Sequence, residues 1–268
     1  PTPLGDYRLI AGSPAIDAGS NEYFEDEQVP DLSNVTTDLE GKPRIKFGTV
    51  DLGAYEFDFD FEFIFVDDDA AGNADGTSWT DAYTDLQAAL VKAQEGDQIW
   101  IAAGTYYPTS DSSDRNASFS MKKGVEIYGG FAGNEDPADF DLNNRDFTAN
   151  ETILSGDIDK DGLFSGNAYH VIYNNNLDET AVLDGVTIRD GFASGDEETF
   201  LSFGGGILNH NSHPMLRNII IRENKAYKGA GIYNTGSDPV LVHVTVRDNE
   251  ADYGAGIYNA ESDPVMIN

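Results

Sequence analysis

From residue 204 onward the apolar positions keep a fixed register. The stretch 238–249, DPVLVHVTVRDN, alternates β-branched and polar residues between a proline and turn-forming residues. That pattern predicts short strands separated by bends and argues against helix. The motif GAGIYN at 229–234 returns 25 positions on, at 254–259, and GGGILN at 204–209 stands one period earlier. Pro214, Pro239 and Pro264 recur in step, as do Asn224 and Asn249 and the β-branched triplets at 219–221 and 244–246. A repeat of this length describes units that bury a core only by stacking on one another.

Stacked coils set equivalent residues about 4.8 Å apart, so the columns can be read from the sequence. Ile207, Ile232 and Ile257 predict one inward column, and Leu216, Leu241 and Met266 a second. Val186, Ile219 and Val244 predict a third, and Ile188, Ile221 and Val246 a fourth. Between the second and third lies a corner at Gly185, Asn218, His243 and Asn268, where Gly and Asn suit left-handed backbone. His243 departs from that rule and reads as a surface substitution. Asn209, Asn234 and Asn259 form a ladder able to hydrogen-bond from coil to coil. The coil length, without a leucine framework, predicts an all-β solenoid, a parallel β-helix of about 25 residues per coil.

Upstream the period changes. Leu86, Ala89, Leu90 and Ala93 share one helical face, with a cap at Thr84 or a neighbour and an end near Gly96. A short N-terminal helix near 84–95 would cover the first coil, whose apolar end is otherwise an open edge. The segment 58–65, DFDFEFIF, alternates acid and aromatic and reads as a connecting strand.

Outward positions also repeat. Arg189, Arg222 and Arg247 form a ladder, each followed by an acid, Asp190, Glu223 or Asp248. It reads either as a strip for an anionic glycan or as charge that offsets repulsion on an acidic surface. Leu208, Tyr233 and Tyr258 predict an adjacent exposed column, a sugar platform or stacked filler.

The charge narrows the partners. With 48 Asp+Glu against 16 Lys+Arg, the formal charge is −32. This argues against nucleic acid and anionic membranes, and favours cations. There is no cysteine and no apolar run of membrane-spanning length. The chain starts without Met and stops inside a repeat, so both ends read as cut from a longer protein.

Two acidic sets are candidate metal sites. Asp157, Asp159 and Asp161, followed by Gly162, match the first half of a D-x-D-x-D-G calcium loop, where alternate carboxylates converge. The twelfth position is Ala168, so the bidentate glutamate is missing. Asp67, Asp69 and Asp75, with Asp68 and Asn73, form the second set. The cofactor these sets imply is a structural Ca²⁺. Asp17, Asp38 and Asp51 cap turns or collect a cation. The histidines His170, His210, His213 and His243 look dispersed, and no serine–histidine–aspartate arrangement is evident.

Longer motifs resemble a known family. The stretches VDDDAAGNADGTSWTDAYTDLQAALVKAQEGDQIWIAAGTYYPT, SFSMKKGVEIYGGFAGNE and RDFTANETILSGDID resemble the opening of bacterial pectin-lyase-like β-helix proteins. Residues 7–56, from YRLIAGSPAIDAGSN to GTVDLGAYEF, are similar to the choice-of-anchor Q region that ends such a helix. The resemblance implies a right-handed parallel β-helix over 66–268 and a secreted protein of the bacterial cell surface, often adhesin-like. Residues 1–57 then close a preceding helix in a tandem array, or cap this one in a permuted order. The expected function is a non-enzymatic adhesin-like module or fibre unit. Its partners would be neighbouring copies or tandem units end to end, and glycans. A polysaccharide lyase or hydrolase of the same fold is the alternative.

Overall fold

A computed structural model describes residues 9, 13–15, 18–24, 30–45, 49–56, 62–196 and 199–267. The chain divides into two compact units, Pro1–Asp60 and Phe61–Asn268, each described by itself.

The second unit is built from parallel sheets. The longest contains Phe63–Val66, Gln98–Ala102, Glu126–Phe131, Val182–Asp184, Met215–Arg217, Val240–Val242 and Val265–Ile267, in spatial order as in chain order. A five-stranded sheet runs from Gly104–Tyr106 through Thr152–Ser155, Thr187–Arg189 and Ile220–Arg222 to Thr245–Arg247. Four strands, Ile172–Asn175, Ile207–His210, Ile232–Thr235 and Ile257–Ala260, form the third sheet. Phe192–Ala193, Lys225–Lys228 and Glu250–Tyr253 form the fourth. From Ile207 on, the chain visits these sheets in fixed rotation and adds one strand to each per coil. The described residues are thus mostly β with parallel sheets, one α-helix and no closed barrel, consistent with a parallel β-solenoid.

The predicted register is the observed one. Ile207 pairs with Ile232 and Ile232 with Ile257; Leu216 pairs with Leu241 and Leu241 with Met266. Ile188, Ile221 and Val246 pair in the same way. All but the outermost residues of these columns are buried in one continuous core. Sequence separation between stacked partners is 25 in the last coils but 35 from Asn174 to Asn209. The extra residues lie in excursions between strands, which is why the earlier coils hide their period.

Each later coil turns at four corners, and each corner holds a residue at positive φ. In one coil these are Gly204, Asn211, Asn218 and Glu223; in the next, Gly229, Gly236, His243 and Asp248. His243, at φ 52°, therefore occupies a true left-handed corner as its column predicted. Asn268, the last member of that column, lies outside the described residues. The acids after the ladder arginines have a second role, since Asp190, Glu223 and Asp248 are themselves the fourth corner. Gly185 serves another need as well. A Cβ there would lie 2.6 Å from the Phe147 ring and 2.8 Å from the Gly129 carbonyl.

In the asparagine and serine columns, polar groups are satisfied by their own copies. Asn174 Nδ2 donates to Asn209 Oδ1 at 3.0 Å, Asn209 to Asn234 at 2.9 Å, and Asn234 to Asn259 at 2.8 Å. The amide of Ser212 donates to Ser237 Oγ, and that of Ser237 to Ser262 Oγ, each at 2.9 Å. An unpaired buried amide is costly, so these ladders favour coils in strict register.

The long sheet is covered on both faces at its first strands. Ile99, Ile101 and Ile127 enter the core, while Phe65, Trp100, Tyr128 and Phe131 form a second apolar cluster. Trp100 stacks on Phe131 with ring centroids 4.4 Å apart, and Phe140 and Leu142 pack over the cluster. The continuous apolar runs of these strands follow from that double burial. Phe63–Val66, the described end of the expected connecting strand, pairs with Gln98–Ile101 as the outer strand of this sheet. Helix α1, Leu86–Lys92, is capped by Asp85, whose side chain accepts from Ala88 N. Its Leu86, Ala89 and Leu90 face joins the core beside Ile64 and Ile99.

In the first unit Asp38 is a turn cap. It accepts from the amides of Glu40 at 2.8 Å, Lys42 at 2.9 Å and Glu56 at 3.1 Å. Arg44 pairs with the buried Glu56. Asp17 lies outside the described residues.

Two substitutions test this architecture. Ile232→Ala should lower unfolding free energy by about 2–5 kcal/mol, because a fully enclosed side chain leaves a cavity. His243→Gly should raise it by about 0.5–1 kcal/mol by relieving a left-handed corner at an exposed site. Denaturant titration reads both.

Candidate metal centre

The loop after strand Thr152–Ser155 brings the first acidic set together. Asp157, Asp159 and Asp161 each offer a carboxylate oxygen within 4.8 Å of the others. The backbone shapes the convergence. Asp157 accepts from the amides of Asp161 at 3.2 Å and Gly162 at 3.1 Å, and Asp161 accepts from Leu163 N at 2.7 Å. Lys160 at φ 58° and Gly162 at φ 73° supply the two left-handed bends this tight curl requires.

The donor set fits a hard cation. Three carboxylates held this close repel one another unless a positive charge lies between them. Asp159 Oδ1 is shielded from solvent yet has no hydrogen-bond partner, a state a bound cation would relieve. Ala168 explains the missing twelfth ligand. Its amide donates to Gly156 O at 2.8 Å and its side chain is fully buried, so the chain has already rejoined the body of the fold. Coordination would be completed by backbone oxygen or water.

The second acidic set is placed differently. Among the described residues, Asp67, Asp69 and Asp75 do not form a group of three with oxygens within ligand reach of one another. Asp67 Oδ1 accepts from Asp69 N at 3.1 Å. Asp75 accepts from Thr77 N at 3.0 Å and Thr77 Oγ1 at 2.7 Å, bonds that hold its carboxyl below the usual range. The loop is instead closed by its own backbone, with Gly72 N donating to Thr80 O and Gly76 N to Asp81 O.

The outward columns divide. The arginine ladder is in register, but its guanidiniums meet their own acids. Arg189 Nε lies 3.2 Å from Asp190, Arg222 contacts Glu223 and lies 3.7 Å from Glu151, and Arg247 contacts Asp248. That geometry matches the charge-offsetting reading. The expected exposed column is largely buried, which is a correction. Leu208 is 0 % and Tyr233 7 % exposed. Phe203, beyond the turn Phe200–Ser202, stacks on Tyr233 at 4.7 Å, and Tyr233 stacks on Tyr258 at 5.3 Å. Phe203 keeps the repeat, pairing with Lys228 as Lys228 pairs with Tyr253, but the side chain at that position changes from Phe to Lys to Tyr, so the period did not mark it as a cover.

A buried ion pair also escaped the sequence reading. Arg145 bonds Asp184 at 3.0 Å, with the two side chains 4 % and 6 % exposed, beside the Tyr128, Phe131 and Phe147 rings. Its only sequence signal was a lone arginine among aromatics in a non-repeating segment.

The histidines are dispersed, as expected. His210 rests on Phe200, His213 lies 3.7 Å from Asp238, and His243 is a corner. His170 is buried, with Nδ1 2.9 Å from Gly204 O. Burial pushes its pKa down to about 4, against the hydrogen bonds of the Gly204 and Phe203 backbone. No helix of the described residues is long and apolar enough to cross a membrane.

Two measurements follow. Added Ca²⁺ should raise the melting temperature at fixed ionic strength, chelator should reverse the rise, and Asp159→Asn should diminish it. His170 supplies a pH test. Between its ordinary value near 6.5 and about 4, the unfolded chain binds a proton that the native site refuses. Stability is therefore lost as pH falls through that window, by about 3 kcal/mol once below it. His170→Gln should flatten this part of the stability–pH curve relative to the unaltered chain.

The chain matches no family model, and no characterised protein or solved structure is significantly similar to it.

Proposed function

We propose that the chain is a non-enzymatic extracellular module of a bacterial surface protein, either adhesin-like or the repeating unit of a surface fibre. It is a right-handed parallel β-helix of the pectin-lyase-like type, with Ca²⁺ as a structural ion at Asp157, Asp159 and Asp161. Residues 1–57 act as the end piece of a β-helix.

The observation that carries this reading is repetition. Asn209, Asn234 and Asn259 bond to one another, Ser212, Ser237 and Ser262 do the same, and the column Ile207, Ile232 and Ile257 repeats without variation. A column of identical environments builds length and stiffness, whereas catalysis needs unlike groups converging on one point. A polysaccharide lyase would need a free base facing its cation. The ladder arginines are instead engaged by neighbouring acids.

Electron microscopy and native mass spectrometry of the protein in Ca²⁺ test the assembly. Axially joined particles are expected. Discrete monomers at about 10 μM would remove the fibre reading. Incubation with oligogalacturonate should produce no unsaturated ends; their appearance would restore the enzyme.

A further inference from the structure

The strand Gly104–Tyr106 and the residues after it border a recess of about 700 Å³ on the second unit. Four separate stretches of chain line it. Asp68 and Asp69 come from the loop after the first strand, Thr84 and Asp85 from the start of helix α1, and Thr105, Tyr107 and Thr109 from the strand Gly104–Tyr106 and the residues after it. Lys160 comes from the curled loop that carries the aspartate triad.

The chemistry of these groups is mixed. Asp68 and Asp69 are exposed, and neither has a salt-bridge partner among the described residues. Partial burial raises the Asp68 pKa, and the adjacent Asp69 and Asp67 charges add to it, against a hydrogen bond from the Thr105 backbone. Lys160 Nζ lies 4.3 Å from the Tyr107 ring centroid, so this cation rests on the aromatic wall. Burial also raises the Tyr107 pKa, which keeps the phenol protonated and able to donate.

Carboxylates only accept hydrogen bonds, an ammonium only donates, and threonine hydroxyls do both. A ligand satisfying all of them must carry several groups that each donate and accept, arranged on a body with an apolar face for the tyrosine. Sugar rings meet that description. The charge selects among sugars. Three aspartates, Asp68, Asp69 and Asp85, and one lysine line the recess, and the whole chain carries −32. Uronates and sulfated glycans are therefore repelled.

We propose that this recess binds a neutral saccharide, with vicinal sugar hydroxyls donating to Asp68 and Asp69 and a pyranose ring packed beside Tyr107. Lys160, held on the Tyr107 ring, donates to a ring or hydroxyl oxygen. The inference goes beyond the reading of the chain as a structural module and does not depend on it. Axial assembly and saccharide binding are measured separately, and either can fail alone.

The test uses saturation-transfer NMR and calorimetry on the full chain with cellotriose, mannotriose and maltotriose, and with trigalacturonate as the charged counterpart. At least one neutral trisaccharide should bind saturably, with a dissociation constant on the order of 1 mM or tighter, and trigalacturonate should not bind. Asp68→Asn and Tyr107→Ala should each weaken binding by about tenfold or more. Asp178→Asn, an exposed acid paired with Lys123 outside the recess, should leave it unchanged. Lys160→Ala alters an exposed side chain, so it should weaken binding with an unchanged melting curve. It keeps the test decisive if Tyr107→Ala fails to fold. The proposal is overturned if none of the neutral trisaccharides binds saturably, if Asp68→Asn and Lys160→Ala leave binding intact, or if trigalacturonate binds as well as they do.

Discussion

Every coil of this chain must close on itself displaced by one strand spacing, and that closure governs the rest of the molecule. Once residue i lies against residue i+25, each position meets its own equivalent, and chemistry that suits self-stacking is what survives there. Isoleucine on isoleucine fills the interior. Asparagine on asparagine works because one amide donates Nδ2 while the next accepts at Oδ1. A charge on its own copy is the costly case. Arginines occupy such a column only outside the core, with an acid beside each.

Closure also requires corners, and corners require positive φ. The later coils divide that requirement among Gly, Asn, Asp, Glu and His. Glycine is indispensable only where a second constraint joins the backbone angle. Gly185 is such a place, because the Phe147 ring and the Gly129 carbonyl lie where a side chain would start. His243, by contrast, is an exposed corner that holds a non-glycine residue at φ 52°.

The excursions between strands carry what the repeat cannot. Residues 132–151 bring Phe140, Leu142 and Arg145 over the outer face of the long sheet, where Trp100 and Phe131 stack and Arg145 meets Asp184. The loop at 157–162 gathers the aspartate triad and places Lys160 on Tyr107. The turn Phe200–Ser202 sets Phe200 against His210. Each feature is unique along the axis, and uniqueness is what a binding site needs. A chain of such negative charge also places its cation-seeking groups where the backbone can hold them together against repulsion.

The sequence by itself determined whatever depends on self-equivalence. Ile207, Ile232 and Ile257 stack because a period of 25 leaves them no other neighbour, and Asn209, Asn234 and Asn259 bond for the same reason. The helix at Leu86–Lys92 and the Asp157 loop were also legible, since both rest on spacings within a single turn of chain. Contacts between unlike segments were not legible. Burial of Leu208 and Tyr233, the Arg145–Asp184 pair and the meeting of Asp68 with Tyr107 and Lys160 join residues with no common spacing. Only the folded stack decided them, because the distance between two excursions is set by how many coils lie between them and which side each leaves from. The acids Asp67, Asp69 and Asp75 show the converse. They are close in sequence, but a loop closed by its own backbone bonds holds Asp75 on Thr77. Proximity along the chain becomes convergence in space only where the backbone curls, and that curl is a property of the tertiary structure.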